Sequence, residues 1–191
     1  MTTQGASHEY ICPMHQEIVQ DRPGTCPICG MALEPRGVPP EHDGQDVEYR
    51  SMRKRFLVGA ILSAVLMIVA MRAMVPGGRF LDRLLPPGVA GWLELLVASP
   101  VVLWAGWPFF VRGVQSVINR SLNMFTLIAL GVLVAYGYSL AAVLFPGLFP
   151  AAMRSPEGTV AVYFEAAAAI VTLILLGQVL ELGARSRTGA A

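Results

Sequence analysis

Four runs of about twenty apolar residues constrain this chain more than any other feature, because a 191-residue soluble domain has no core large enough to hide them. They lie near residues 56–75, 89–111, 124–145 and 160–183, the first opening "FLVGAILSAVLMIVA" at Phe56. A backbone inside hydrocarbon has no water to pair with, so each run predicts a helix, and each is long enough to cross a hydrocarbon core of roughly 30 Å. With 54% hydrophobic and 14% charged residues and a mean hydropathy of +0.56, the chain is too apolar for an ordinary globular domain. The expected fold class is mainly α: four transmembrane helices, preceded by a small zinc-ribbon-like metal-binding module. The boundaries read as residues 8–36 for the module, 37–52 for a flexible linker and 53–191 for the membrane region.

The segments between the runs support this division. "PGGRFLDRLLPPG" and "PGLFPAAMRSPEGT" are rich in the residues that punctuate helices, whereas "RGVQSVINRSLN" lacks proline and predicts an amphipathic helix along the membrane surface. With the N-terminus in the cytoplasm, the inner flanks carry Arg50, Arg53, Lys54, Arg55, Arg112, Arg120, Arg185 and Arg187. The outer loops carry Arg72, Arg79, Arg83 and Arg154, so the charge bias favours that orientation. The first 49 residues have no secretory-signal pattern. Membrane lipid is the expected partner; a formal net charge of +1, with basic residues in short clusters, excludes a nucleic-acid surface.

Ahead of the spans stands "YICPMHQEIVQDRPGTCPICGMALEP", which holds all three cysteines. Cys12-Pro13-Met14-His15 and Cys26-Pro27-Ile28-Cys29 are two similar turns, ten residues apart. Cys12, His15, Cys26 and Cys29 would suit tetrahedral Zn(II), and thiolates near the thioethers of Met14 and Met31 would suit the softer Cu(I). A redox role for Cys26 and Cys29, with Met14 and Met31 as packing residues, is the bland alternative; the paired arrangement favours metal. A module this small has little apolar material, so ligation is a plausible source of its folding energy.

Within the spans, Glu165 and Glu181 lie sixteen residues apart on one helix, about 24 Å along its axis. Met124 begins the preceding antiparallel helix, which places it at the level of Glu181. A thioether and a carboxylate thus share one mouth, and a carboxylate stands alone near the other. The bland alternative lets both carboxylates reach interfacial water and Met124 pack, although a carboxylate inside the membrane usually marks function.

The front stretch resembles the heavy-metal-binding domain whose pattern runs Y-x-C-P-M-H-P and then P-G-x-C-P-x-C-G-M-x-L, with Gln16 replacing a proline. "PVVLWAGWPFFVRG", "SLNMFTLIALGVLVAYGYS" and "VYFEAAAAIVTLILLGQVLELGARSRTGAA" resemble the first four membrane helices of copper-transporting P-type ATPases of the heavy-metal class. The resemblance implies that Met124 and Glu181 receive Cu(I) from the cytoplasm and that Glu165 lies on its release path. It implies a bacterial inner membrane location, and ATP and Mg only in a full-length protein. The family bends its second helix at a Gly-Gly pair; here the pair is Ala105-Gly106, followed by Trp107-Pro108, and a platform helix is expected over residues 107–120. Arg112 and Arg120 on it would attract an acidic copper chaperone.

The family's T-G-E, Cys-Pro-Cys and D-K-T-G-T motifs do not occur in these residues. No Gly-rich phosphate loop occurs either, so the chain is not expected to hydrolyse ATP by itself. It reads as a fragment, the N-terminal portion of a Cu(I) exporter. The competing expectation is a stand-alone membrane protein that buffers or senses copper or zinc, and a third is a purely structural zinc ribbon at residues 10–35.

Overall fold

The computed structural model of the chain describes residues 9–12, 14–22, 24, 26–28, 33–36, 43–72, 86–120 and 122–188. Three two-residue strands, β1 (Tyr10–Ile11), β2 (Val19–Gln20) and β3 (Glu34–Pro35), form an antiparallel sheet in the order β2-β1-β3. Ile11 pairs with both Val19 and Glu34, and Tyr10 with both Gln20 and Pro35. Tyr10, Cys12, Cys26 and Leu33 are buried together, with Ile18 and Ile28 against them. Two of the four core residues are cysteines, so the module's interior is also its candidate ligand set.

Five longer helices follow: α1 (Asp43–Ala70), α2 (Pro87–Ser99), α3 (Trp107–Ile118), α4 (Met124–Leu144) and α5 (Phe164–Thr188). Among the described residues, three stretches are long and apolar enough to cross a membrane: Gly88–Ala105, Met124–Leu144 and Phe164–Ala184. The apolar part of α1 from Phe56 to its end covers about 22 Å at 1.5 Å per residue. The rest of the first expected span, beyond Arg72, lies outside the described residues. Residues 43–52, read from the sequence as part of a linker, are the opening turns of α1. The last span starts at Phe164 rather than 160, because Val160 bridges back to Arg154 in extended conformation.

The second apolar run is not one straight helix. From Pro100 to Ala105 it widens into a π-helical segment, then turns at Gly106 into α3. Two prolines explain the change of path. Pro100 cannot donate within the ladder, and the Gly106 N–H reaches five residues back to the Val101 carbonyl at 3.0 Å. Pro108 cannot supply the Trp104 carbonyl, and the Phe109 N–H turns to Gly106 instead. The orphaned Trp104 carbonyl accepts a hydrogen bond from Arg55 Nη1, whose guanidinium also lies 5.1 Å from the Trp104 ring centroid. A basic flank of α1 thereby completes the backbone of the kink.

Gly106 is the residue that cannot change there. A Cβ on it would stand 2.4 Å from the Val102 carbonyl oxygen, whereas Ala105 fits with its side chain fully buried. One glycine is enough to make the bend. The amphipathic α3 matches the platform expected over 107–120, ending two residues earlier at a turn where Arg120 has a φ of 53°. α3 packs on α4 through Phe109 and Phe125, stacked with centroids 6.1 Å apart, and through the Ser116–Thr126 hydroxyl pair.

The core of the bundle gathers Leu66, Val101, Val102, Phe109, Val132, Phe164, Val171 and Leu175, with Ala98, Ala105, Ala167 and Ala168 letting backbones approach. Small hydroxyls pair within it: Ser63 with Thr172 at 2.8 Å, Ser99 with Tyr136 at 2.7 Å, and Ser139 accepting from the Tyr163 N–H at 2.7 Å. Replacing Gly106 by alanine is expected to destabilise the detergent-solubilised chain by about 1–3 kcal/mol, as overpacking does. Gly137→Ala, where a Cβ would meet nothing within 4 Å, should be neutral or stabilising by up to about 1 kcal/mol. Paired chemical unfolding curves followed by circular dichroism measure the difference.

Candidate metal centre and membrane carboxylates

The front module brings three predicted ligands together. Cys12 follows β1, and its N–H bonds to the Ile18 carbonyl at 3.2 Å, while the Ile18 N–H returns to the His15 carbonyl at 2.9 Å. This tight loop sets His15 Nδ1 3.8 Å from Cys12 Sγ and 4.0 Å from Cys26 Sγ. All three ligand atoms lie within 4.8 Å of one another. Tetrahedral zinc, with bonds of roughly 2.0–2.3 Å, separates its ligand atoms by about 3.5–3.8 Å, so the triad is nearly spaced for an ion. Both sulfurs are buried, and neither cysteine is in a disulfide. Cys29 and Met31 lie outside the described residues. Met14 is 70% exposed, in contrast to the two buried cysteines.

In the bundle, Met124 is the first residue of α4, and its place follows from a capping box. The Asn123 side chain accepts from the N–H groups of Phe125 and Thr126, while Thr126 Oγ1 accepts from the Asn123 N–H. Met124 is 62% exposed. Glu181 is exposed on α5 and accepts from Gln178 Nε2 at 3.3 Å. Arg112 on α3 donates to Gln178 Oε1 at 3.2 Å and lies 5.4 Å from the centroid of Phe125, the residue after Met124. Arg112 thereby links the first turn of α4, through Phe125, to Gln178 on α5.

Gln178 is the residue that sequence reasoning passed over. It stands three positions before Glu181 on the same helical face, which was the available signal. The same contacts change the reading of the platform: Arg112 is half-buried and engaged inward, while Arg120 is exposed.

Glu165 lies in the first turn of α5, where the helix macrodipole favours a negative charge. Its Oε2 is buried and has no hydrogen-bond partner among the described residues. Sixteen residues of unbroken helix separate it from Glu181, so the two carboxylates sit about 24 Å apart along the axis. Glu165 is not alone at its end. A cavity of about 660 Å³ there is also lined by Glu94, Arg72 and Met153.

Comparison with known proteins places these features in context. Residues 9–36 match the heavy metal binding domain family. The chain is 55% identical over 182 residues to a copper-exporting P-type ATPase of Legionella pneumophila, covering 95% of this chain and 24% of that protein. It is 52% identical to a silver exporting P-type ATPase of Salmonella typhimurium, again over 95% of the chain and 22% of the relative. A copper-transporting P-type ATPase of Rhizobium leguminosarum bv. viciae is 53% identical over 95% of the chain and 21% of its own length. The chain therefore spans about a quarter of the curated relatives it matches.

For the cysteine-histidine triad, Cys12→Ser or Cys26→Ser is expected to weaken Zn(II) or Cu(I) binding by at least about 100-fold, the upper range of what outer-sphere changes alone cost. Met14→Ala should change it by less than about threefold, since the side chain faces solvent. Binding should also weaken on acidification, because protons compete for the same sulfur and nitrogen atoms. Anaerobic competition titrations against chromophoric chelators read all three.

Proposed function

Because this chain is homologous to the N-terminal region of copper-exporting P-type ATPases and carries a heavy metal binding domain, we propose that it is the metal-collecting and membrane-receiving portion of an ATP-driven Cu(I) exporter. One observation carries the reading beyond the likeness: Asn119 Nδ2, at the end of α3, donates to the carbonyl of Pro27, inside the second turn of the metal module. The buried Cys26 adjoins Pro27, and Met124 follows Asn119 by five residues. This contact supports a ligand cluster seated beside the start of α4, where Met124 stands.

In this proposal the N-terminus is cytoplasmic in a bacterial inner membrane, and α1 completes a fourth span. Cu(I) passes from the module or from a soluble chaperone to the thioether of Met124 and the carboxylate of Glu181. A thioether suits the soft monovalent ion, and a carboxylate balances its charge. Arg112 and Gln178 hold the receiving groups in place, and exposed Arg120 offers a positive mark for an acidic donor. Glu165, at the far end of the same helix, takes the ion as it leaves. Energy from ATP and Mg would come from parts of the relatives that these residues do not cover.

A second reading concerns the module alone. Cys12 and Cys26 make up half of its buried core, which favours a resident structural Zn(II) as much as transferable Cu(I). The complete protein carrying this segment provides the test of the first reading. Met124→Ala and Glu181→Ala should each lower the apparent Cu(I) affinity in metal-stimulated ATP turnover by about tenfold, equivalent to about 1.4 kcal/mol. Unchanged metal dependence in both variants would remove the receiving role. For the second reading, Zn(II) that fails to exchange for Cu(I) in the isolated chain would identify a structural ion.

A further inference from the structure

At the end of the bundle away from the metal module, one cavity collects chemistry that the transport reading leaves unassigned. Glu94, in the middle of α2, has a side chain only 6% exposed and an ion pair to Arg72 at 3.5 Å. Arg72 lies just past the end of α1, where its Nη1 also donates to the Val69 carbonyl at 2.9 Å. Glu165 and Glu94 line one cavity with Arg72 and Met153. Arg154 lines it as well, but its guanidinium is exposed and donates to the carbonyls of Gly147 and Phe149.

A structural ion pair needs one carboxylate and one guanidinium. Here a second carboxylate lines the same cavity, with an oxygen that is buried and unpartnered among the described residues. Leaving such an oxygen unpaired is costly, on the order of 1–3 kcal/mol or more for a charged group. Among the described residues, two carboxylates stand against one inward guanidinium, and with both ionised they leave a single negative charge there that one monovalent cation neutralises. The thioether of Met153 adds a soft donor.

We propose that this cavity is a second cation site, in which Glu94, Glu165 and Met153 take a soft monovalent cation while Arg72 acts as a tethered counter-charge that competes with it. The inference rests on the transport reading for its role and assigns Arg72 and Glu94 to that same path. A guanidinium carries five N–H donors, so Arg72 can serve the carboxylates when the cation is gone and be drawn aside when it arrives. Competition of this kind keeps the site weak, as a place of departure must be. Arg72 is a positioning residue; Glu94, Glu165 and Met153 are the ligands.

The test measures binding rather than pumping, so its failure is separate from failure of the transport reading. The full chain is placed in lipid nanodiscs with Cys12, His15, Cys26, Cys29, Met124 and Glu181 replaced by non-ligating residues, and Ag(I) is used as the redox-stable probe in equilibrium dialysis. Arg72→Gln should tighten Ag(I) binding by about tenfold. Glu165→Gln, Glu94→Gln and Met153→Ala should each weaken it, Glu165→Gln by about tenfold or more. Unchanged or weaker binding in a folded Arg72→Gln variant would overturn the competition. If Arg72→Gln does not fold, Glu165→Gln decides, since it breaks no ion pair: an unaltered Ag(I) affinity there would sink the site.

Discussion

Inside an apolar bundle every polar backbone group and every charge must find a partner from the protein itself, and this requirement shapes the chain from end to end. It is clearest at the kink. Two prolines open the hydrogen-bond ladder between α2 and α3, the strand of helix loosens into a π segment, and the carbonyl left over at Trp104 is taken by Arg55 from a different helix. The bend therefore depends on α1 as much as on the prolines. Together with the packing of α3 on α4 through Phe109 and Phe125, that donor fixes the direction from which Arg112 meets Phe125 and Gln178.

The same requirement sorts the ionisable groups. At the end near the metal module they are engaged yet reachable: Glu181 is exposed beside Gln178, and Met124 projects from a capped helix start. At the opposite end they are withdrawn from solvent around a cavity, with Arg72 against Glu94 and one oxygen of Glu165 left over. Surface ion pairs such as Arg36–Glu9, with both side chains largely in water, contribute little by comparison. A buried pair serves stability poorly as well, because desolvation offsets most of its attraction.

Much of this was legible in the residues. The apolar runs located the helices, the paired Cys-Pro turns pointed to the cluster of Cys12, His15 and Cys26, and the spacing of Glu165 and Glu181 put them at opposite ends of one helix. Asn123 and Thr126 spell a capping box, and Gln178 three residues before Glu181 spells a same-face pair, so both were open to reading. The interruption of the second run was legible only in part. Pro108 announces a kink, but the π segment from Pro100 depends on which carbonyl each freed N–H can reach, and that follows from packing.

What the sequence by itself determined is the set of elements and their chemistry, because hydrocarbon thickness, helix rise and ligand softness act on local strings of residues. Tertiary structure alone decided which groups meet. Arg72 and Glu94 are twenty-two residues apart, one just past the end of α1 and the other on α2, Met153 closes a short 3-10 turn and Glu165 stands in the first turn of α5, and nothing in their spacing brings them to one cavity. The same holds for Arg55 at the Trp104 carbonyl and for Asn119 at Pro27. Contacts of that kind are set by how helices cross and by which small residues let backbones approach, and that information is distributed over the whole bundle rather than written at either partner.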